Sequence, residues 1–254
     1  MEDNIIYQYV RECEEEYKEF LGLKHFPKYV IIYKEIDLEK AEQQGYDSFA
    51  TAFYDVPTGK HILEIWSKLY TLDWAGKAVV FHELTHIHDD DVLVQNDKKR
   101  YLGNHAYEEY HASQVELLKL LRVKNIHDTF MFSMRDKIDT VTGKKSIDEY
   151  VEEAHKHAIE LISRIDFPAD IDMLKSTLGT IFNYYGRRSI CKMHASDYRD
   201  LLDYTVIKGF LTPQIEKILN SFMEGWFDTG KVEQLCKFYQ NFVLVLVQQY
   251  GLNT

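Results

Sequence analysis

His82 and His86 stand four residues apart in the stretch His82-Glu83-Leu84-Thr85-His86, an HExxH sequence. Such a pair is useful only on a helix. There, residues i and i+4 lie about 40° apart around the axis, so both imidazoles reach one zinc ion at about 2.0–2.1 Å. Glu83 projects from the flank of the pair, where its carboxylate can hold a water and take a proton from it. The motif thus fixes one helix and asks the rest of the chain for more. A catalytic zinc keeps three protein ligands and one open position, so a third ligand has to come from elsewhere.

The surroundings are those of an ordinary globular chain. Its 254 residues suffice for one large core or two modest ones, and 45% hydrophobic with 28% charged residues argues against disorder. A net charge of -11 excludes a broad nucleic-acid footprint, which needs clustered Lys and Arg. The local basic spot Gly186-Arg187-Arg188 reads as a solvated helix end. The opening MEDNIIYQYV is acidic and lacks the basic start and apolar run of a secretory leader. The longest apolar run, Phe242 to Val247, is far short of the roughly twenty residues that span a bilayer. Cys13, Cys191 and Cys236 show no CxxC spacing and read as small buried hydrophobes in a reducing compartment. The expected location is the cytoplasm.

Patterning divides the chain in two. Asn4 to Leu23 carries apolar residues at Ile5, Tyr9, Cys13, Tyr17 and Phe20, a helical spacing. Tyr29 to Tyr33 reads as a buried strand, and Leu38 to Gln44 as a short helix. Phe49–Tyr54 and His61–Trp66 flank the turn Asp55-Val-Pro-Thr-Gly-Lys60 and form a hairpin. Asp73 is placed to cap the HExxH helix, which runs from about Trp74 to the Asp89-Asp90-Asp91 cluster. A loop holding Gly103-Asn104 then leads to a second long helix over about Ala106 to Val123. Past the polar stretch Asp136 to Lys145 nearly everything is helical, with breaks at Phe167-Pro168, His194-Ala195-Ser196 and before Pro213. The fold class expected is α+β: a zincin-like N-terminal unit (1–135) with a small sheet and the HExxH helix, then an all-helical C-terminal region (146–254).

In a zincin layout an edge strand runs beside the motif helix and can pair with an extended peptide. The two arms of the hairpin are the candidates. The third ligand follows from helix phase. A metzincin spacing is excluded, because Asp89 and Val92 stand where Gly and a third His would be. Glu108 and Glu109 remain. Glu109 lines up with Ala112, Glu116 and Leu120 beside Leu117 and Leu121, whereas Glu108 falls on the side of Lys119. Glu109 is therefore the inward carboxylate, and Glu108 is expected to face solvent. Asp89 shares the face of the two histidines and is a candidate to orient one of them. His105, one turn before Glu109, is a candidate to hold an oxyanion. His88 points to the opposite face from His82. The run Phe182-Asn183-Tyr184-Tyr185 reads as core.

His-Glu-Leu-Thr-His followed by Glu109-Tyr110-His111-Ala112-Ser113 resembles the ImmA/IrrE family of zincin-like metallopeptidases, over roughly the first half of the chain. Thr85 stands where members commonly carry Gly or Ala. The resemblance implies His82, His86 and Glu109 as metal ligands and Glu83 as general base. It also implies Zn2+ as cofactor and a protein or peptide substrate, in some members a transcriptional regulator. The function expected is zinc-dependent intracellular hydrolysis of a peptide bond. The alternative is a non-catalytic regulatory or adaptor protein on the same fold, acting through its helical half. Neither reading involves nucleic acid or a membrane.

Overall fold

The computed structural model describes residues 2–36, 48–200, 205–222 and 229–252. The helix expected over Leu38 to Gln44 lies outside them. The described elements give a mixed α+β chain in which helices dominate. They are α1 (Glu2–Leu21), β1 (Tyr29–Lys34), β2 (Ala50–Asp55), β3 (Lys60–Trp66), α2 (Asp73–Asp89), α3 (Lys98–Leu120), β4 (Lys137–Thr140), β5 (Gly143–Ser146), α4 (Ile147–Ile162), α5 (Ile171–His194), α6 (Thr205–Phe210), α7 (Pro213–Phe222) and α8 (Thr229–Tyr250). None of the described helices is long and apolar enough to cross a membrane.

The chain forms two compact units. One comprises 1–98, 115–129 and 139–144; the other comprises 99–114, 130–138 and 145–254. The sequence reading placed a single boundary at Asp136 to Lys145, a stretch that forms most of the β4–β5 hairpin. The units instead share α3. Its first turns belong with the later helices and its last turns with the first unit.

In the first unit, β1 pairs parallel with β3, and β2 pairs antiparallel with β3, giving the order β1-β3-β2. Alternation sets the faces: Leu63, Ile65, Ala50 and Tyr54 are buried, while Val30, Ile32 and Phe53 lie on the open face. The expectation of a buried β1 is corrected. Val30 is 57% exposed, because it lies on the open face of the sheet with Ile32 and Phe53.

Helix α1 packs on α2 through Ile6, Val10, Cys13, Tyr17 and Phe20, each no more than 1% exposed. The stripe begins at Ile6 rather than Ile5, which is 48% exposed. Strict i+4 steps drift off a 3.6-residue period, so the buried positions alternate steps of four and three. Tyr17 and Phe20 meet the Phe81 ring edge to face at 5.4 and 5.8 Å.

At its start, α2 has no side-chain cap. The expected Asp73 cap is corrected: Asp73 is the first helical residue, held at φ 50° where the preceding 3-10 turn joins the helix. Helix α3 also begins earlier than the sequence suggests, with Gly103-Asn104 inside it. Gly103 is there for close approach rather than for a turn. A Cβ at this position would stand 2.5 Å from the Gln240 amide nitrogen on α8.

In the second unit, α5 forms the core. Phe182, Tyr184 and Tyr185 are fully buried, as the sequence suggests. Arg187-Arg188 is not a solvated helix end. Arg188 is 3% exposed in mid-helix, its guanidinium donating to Asp200 at 2.6 Å and to the Tyr198 hydroxyl at 3.0 Å. Arg187 lies over the Tyr150 ring. Local basic sequence says nothing about such distant partners.

Candidate metal centre

The site is built on two helices. On α2, His82 and His86 present their rings side by side, with centroids 4.9 Å apart and planes at 65°. Helix phase alone accounts for this: one turn separates them, and their shared face is the one not used against α1. Thr85 shows the other side of α2. It is fully buried, donates to the Phe81 carbonyl at 2.8 Å and receives the Tyr17 hydroxyl at 3.2 Å. A threonine therefore fits a position where a smaller residue would leave that hydroxyl facing an apolar wall.

Helix α3 supplies carboxylates to the same place. A ligand atom from each of His82, His86 and Glu109 lies within 4.8 Å of the other two. Two imidazoles and one carboxylate are a donor set suited to zinc, and they leave a fourth position open. Tetrahedral zinc holds its ligands about 3.3–3.5 Å apart, closer than the 4.8 Å within which these atoms lie. On α5, Gly179 passes so near that a Cβ there would stand 3.4 Å from the Glu109 carboxyl group.

Glu83 is 8% exposed, and its Oε2 accepts the backbone N–H of Ala52 at 2.6 Å. The β2 register explains that contact. Trp66 N–H bonds the Phe49 carbonyl, so alternation along the antiparallel pair turns the backbone groups of Ala50, Ala52 and Tyr54 away from β3. Of the two hairpin arms, β2 is the edge strand, and Glu83 is anchored to it. A carboxylate fixed by a backbone donor loses rotamer freedom and keeps one oxygen at a set place.

The remaining candidates sort by contact. His105 Nδ1 stands 3.9 Å from Glu109 Oε1, one turn along α3, while its Nε2 is buried and has no hydrogen-bond partner among the described residues. Asp89 is 3% exposed, and its Oδ1 lies 3.2 Å from His88 Nδ1. Asp89 thus engages the histidine that points away from the pair.

Glu108 corrects the sequence reading. Expected to face solvent, it is 4% exposed. On α8, the Cys236 thiol is pushed up to about 12, first by burial and then by the Glu108 carboxylate. The Tyr239 hydroxyl is raised by burial, then by Glu109, then by Glu108. Both carboxylates therefore act on the Tyr239 hydroxyl, and Glu108 acts on the Cys236 thiol as well. Helix phase ranks one face of α3 above another, but burial here is broader than one face: Tyr107, Tyr110, Ala112, Val115, Leu117 and Leu118 are each at most 5% exposed.

Glu116 is a neighbour of His82 that the motif does not announce. Its Oε2 lies 3.4 Å from His82 Nδ1, with its side chain only 14% exposed. The signal was present, since Glu116 follows Glu109 by two helical turns. The Ala52 contact had no local signal, because it depends on the β2–β3 register. The chain matches no known protein family, no curated protein and no solved structure.

Proposed function

We propose that this chain is a zinc-dependent peptidase of zincin type, working inside the cell on a protein or peptide substrate. The observation that carries the reading is the cluster of His82, His86 and Glu109 beside a buried Glu83 anchored on an edge strand. A purely structural metal site gains nothing from a carboxylate held in that position. The likeness to the ImmA/IrrE family supports the same reading and suggests a transcriptional regulator as one class of substrate.

His82, His86 and Glu109 would hold the ion. Bound there, zinc would polarise the scissile carbonyl and lower the pKa of an attacking water. Glu83 takes the proton from that water and delivers it to the leaving amide nitrogen. Strand β2 aligns an extended substrate through outward backbone groups of Ala50 and Tyr54, flanking the Ala52 N–H that Glu83 occupies. His105, one turn from Glu109 on α3, would be the candidate to hydrogen-bond the developing oxyanion, through a ring nitrogen that substrate has first to reach.

Elemental analysis tests the metal and a substitution tests the chemistry. The purified chain should carry about one zinc, lost in His82→Ala and in His86→Ala. Glu83→Gln should keep the zinc and the fold and lose hydrolysis of a peptide-library substrate by about a thousandfold or more. Equal metal content in wild type and both histidine variants would refute the centre. Cleavage by Glu83→Gln at the wild-type rate would refute the peptidase.

A further inference from the structure

We infer that Glu116 is the positioning residue for His82: its carboxylate takes one ring nitrogen and so commits the other to the metal. The inference rests on the metal-centre reading above and adds a residue to it. An imidazole has two nitrogens on opposite edges, and only an unprotonated one can bind a cation. Which nitrogen is unprotonated depends on what the other one touches. His82 Nδ1 lies 3.4 Å from Glu116 Oε2. A carboxylate is an acceptor only, so it holds the proton on Nδ1 and leaves Nε2 bare.

Three further observations favour Glu116 over any other carboxylate for this task. It is enclosed, with a side chain 14% exposed between Val115 and Leu117, which are fully buried. A carboxylate so placed is costly to desolvate unless something compensates it, and a neutral or cationic ring donor does so. It also belongs to the same compact unit as His82. Finally, the Oδ1 of Asp89, another acid on α2, lies 3.2 Å from His88 Nδ1. Seven residues separate Glu109 from Glu116, so α3 presents both on nearly one line, about 20° apart around the axis. One carboxylate serves the ion and the next serves the ring that faces it. The 3.4 Å separation is longer than a charge-assisted hydrogen bond of about 2.7–2.9 Å, and it must shorten when an ion binds for the carboxylate to hold the ring.

The test is competitive zinc titration against a chromophoric chelator on the full chain. The variants are wild type, Glu116→Gln, Glu116→Ala, Glu109→Ala and His82→Ala, with Co2+ absorption spectra recorded on each. Glu116→Ala should bind zinc about 10- to 100-fold more weakly while keeping the four-coordinate Co2+ bands, shifted in position. Glu116→Gln keeps an acceptor oxygen and the shape of the side chain, so it should fall between wild type and Glu116→Ala. It also guards against a trivial folding defect, and its metal-free form should melt within a few degrees of wild type. Zinc affinity in Glu116→Ala within about twofold of wild type would overturn the inference and leave the centre standing. Loss of the Co2+ bands as complete as in His82→Ala would overturn it in another way, by making Glu116 a ligand. A wild-type chain that binds neither ion would overturn the metal centre itself.

Discussion

Glu108 and Glu109 are neighbours on α3, yet substituting them should have different consequences. Glu109 shares the cluster with His82 and His86, so Glu109→Ala should remove a ligand and weaken zinc binding by orders of magnitude. Glu108 is more enclosed, at 4% exposure beside the α8 face that carries Cys236 and Tyr239. Removing its carboxylate leaves former partners and packing atoms behind. Glu108→Ala should therefore lower stability by about 1–3 kcal/mol while changing zinc affinity little. Chemical denaturation and zinc titration of the two variants check both halves. A Glu108→Ala chain as stable as wild type would mean that the buried carboxylate makes no net contribution to the fold. The same contrast shows what could be read at this scale. His82, Glu83 and His86 announce themselves by spacing, and phase picked Glu109. Phase could not tell that Glu108 is also inside, because it ranks the faces of a helix and says nothing of how many are covered.

At the scale of elements, most of the fold was legible where a period or a breaker spoke for itself. The β2–β3 hairpin follows from its Pro/Gly turn, α1 from its apolar stripe, and α5 from the aromatic run that fills its core. What failed were the places where a residue's role is set by a partner. Gly103 looked like a turn and is a contact with Gln240; Arg188 looked solvated and is clamped by Asp200 and Tyr198. Gly179 is the case that bears on the metal centre. In mid-helix a glycine costs about 1 kcal/mol against alanine, so its presence on α5 asks for a reason. An added Cβ would meet the Glu109 carboxyl group at 3.4 Å, an ordinary contact, so that group does not by itself require glycine here. Gly179→Ala should thus be tolerated, with zinc affinity near wild type and stability equal or slightly higher. Gly179→Leu has branches that reach past that contact and should push Glu109 away, weakening zinc binding at least tenfold. Titrating both variants decides it: equal affinities would separate α5 from the placement of Glu109.

For the whole molecule, the sequence suggested that a metal-binding half could be cut free near residue 136, since every proposed ligand precedes that point. The two compact units argue otherwise. Residues 99–114 of α3, the stretch that carries Glu109, belong with the helices that follow. Their contacts are specific. The Ser113 hydroxyl donates to Asn183 Oδ1 at 2.6 Å, and the Gln114 amide donates to Ser189 Oγ at 2.7 Å. Gln240 donates to the Lys99 carbonyl at 2.6 Å, and the Cys236 thiol donates to Asn104. Gly186 brings α5 so near that a Cβ would stand 2.2 Å from the Tyr110 carbonyl oxygen. Cutting at 136 strips all of these from α3 and exposes Tyr107, Tyr110 and Ala112, each at most 5% exposed in the intact chain. A fragment of residues 1–135 would lose these contacts, and the conformational entropy of ordering residues 99–114 would be less well compensated. The fragment should therefore aggregate or lose helicity from residue 99 to residue 114, and with it the Glu109 ligand. Circular dichroism and zinc titration of the purified fragment against the full chain measure this. A soluble fragment with native helicity and full zinc affinity would show that the later helices are dispensable to the centre.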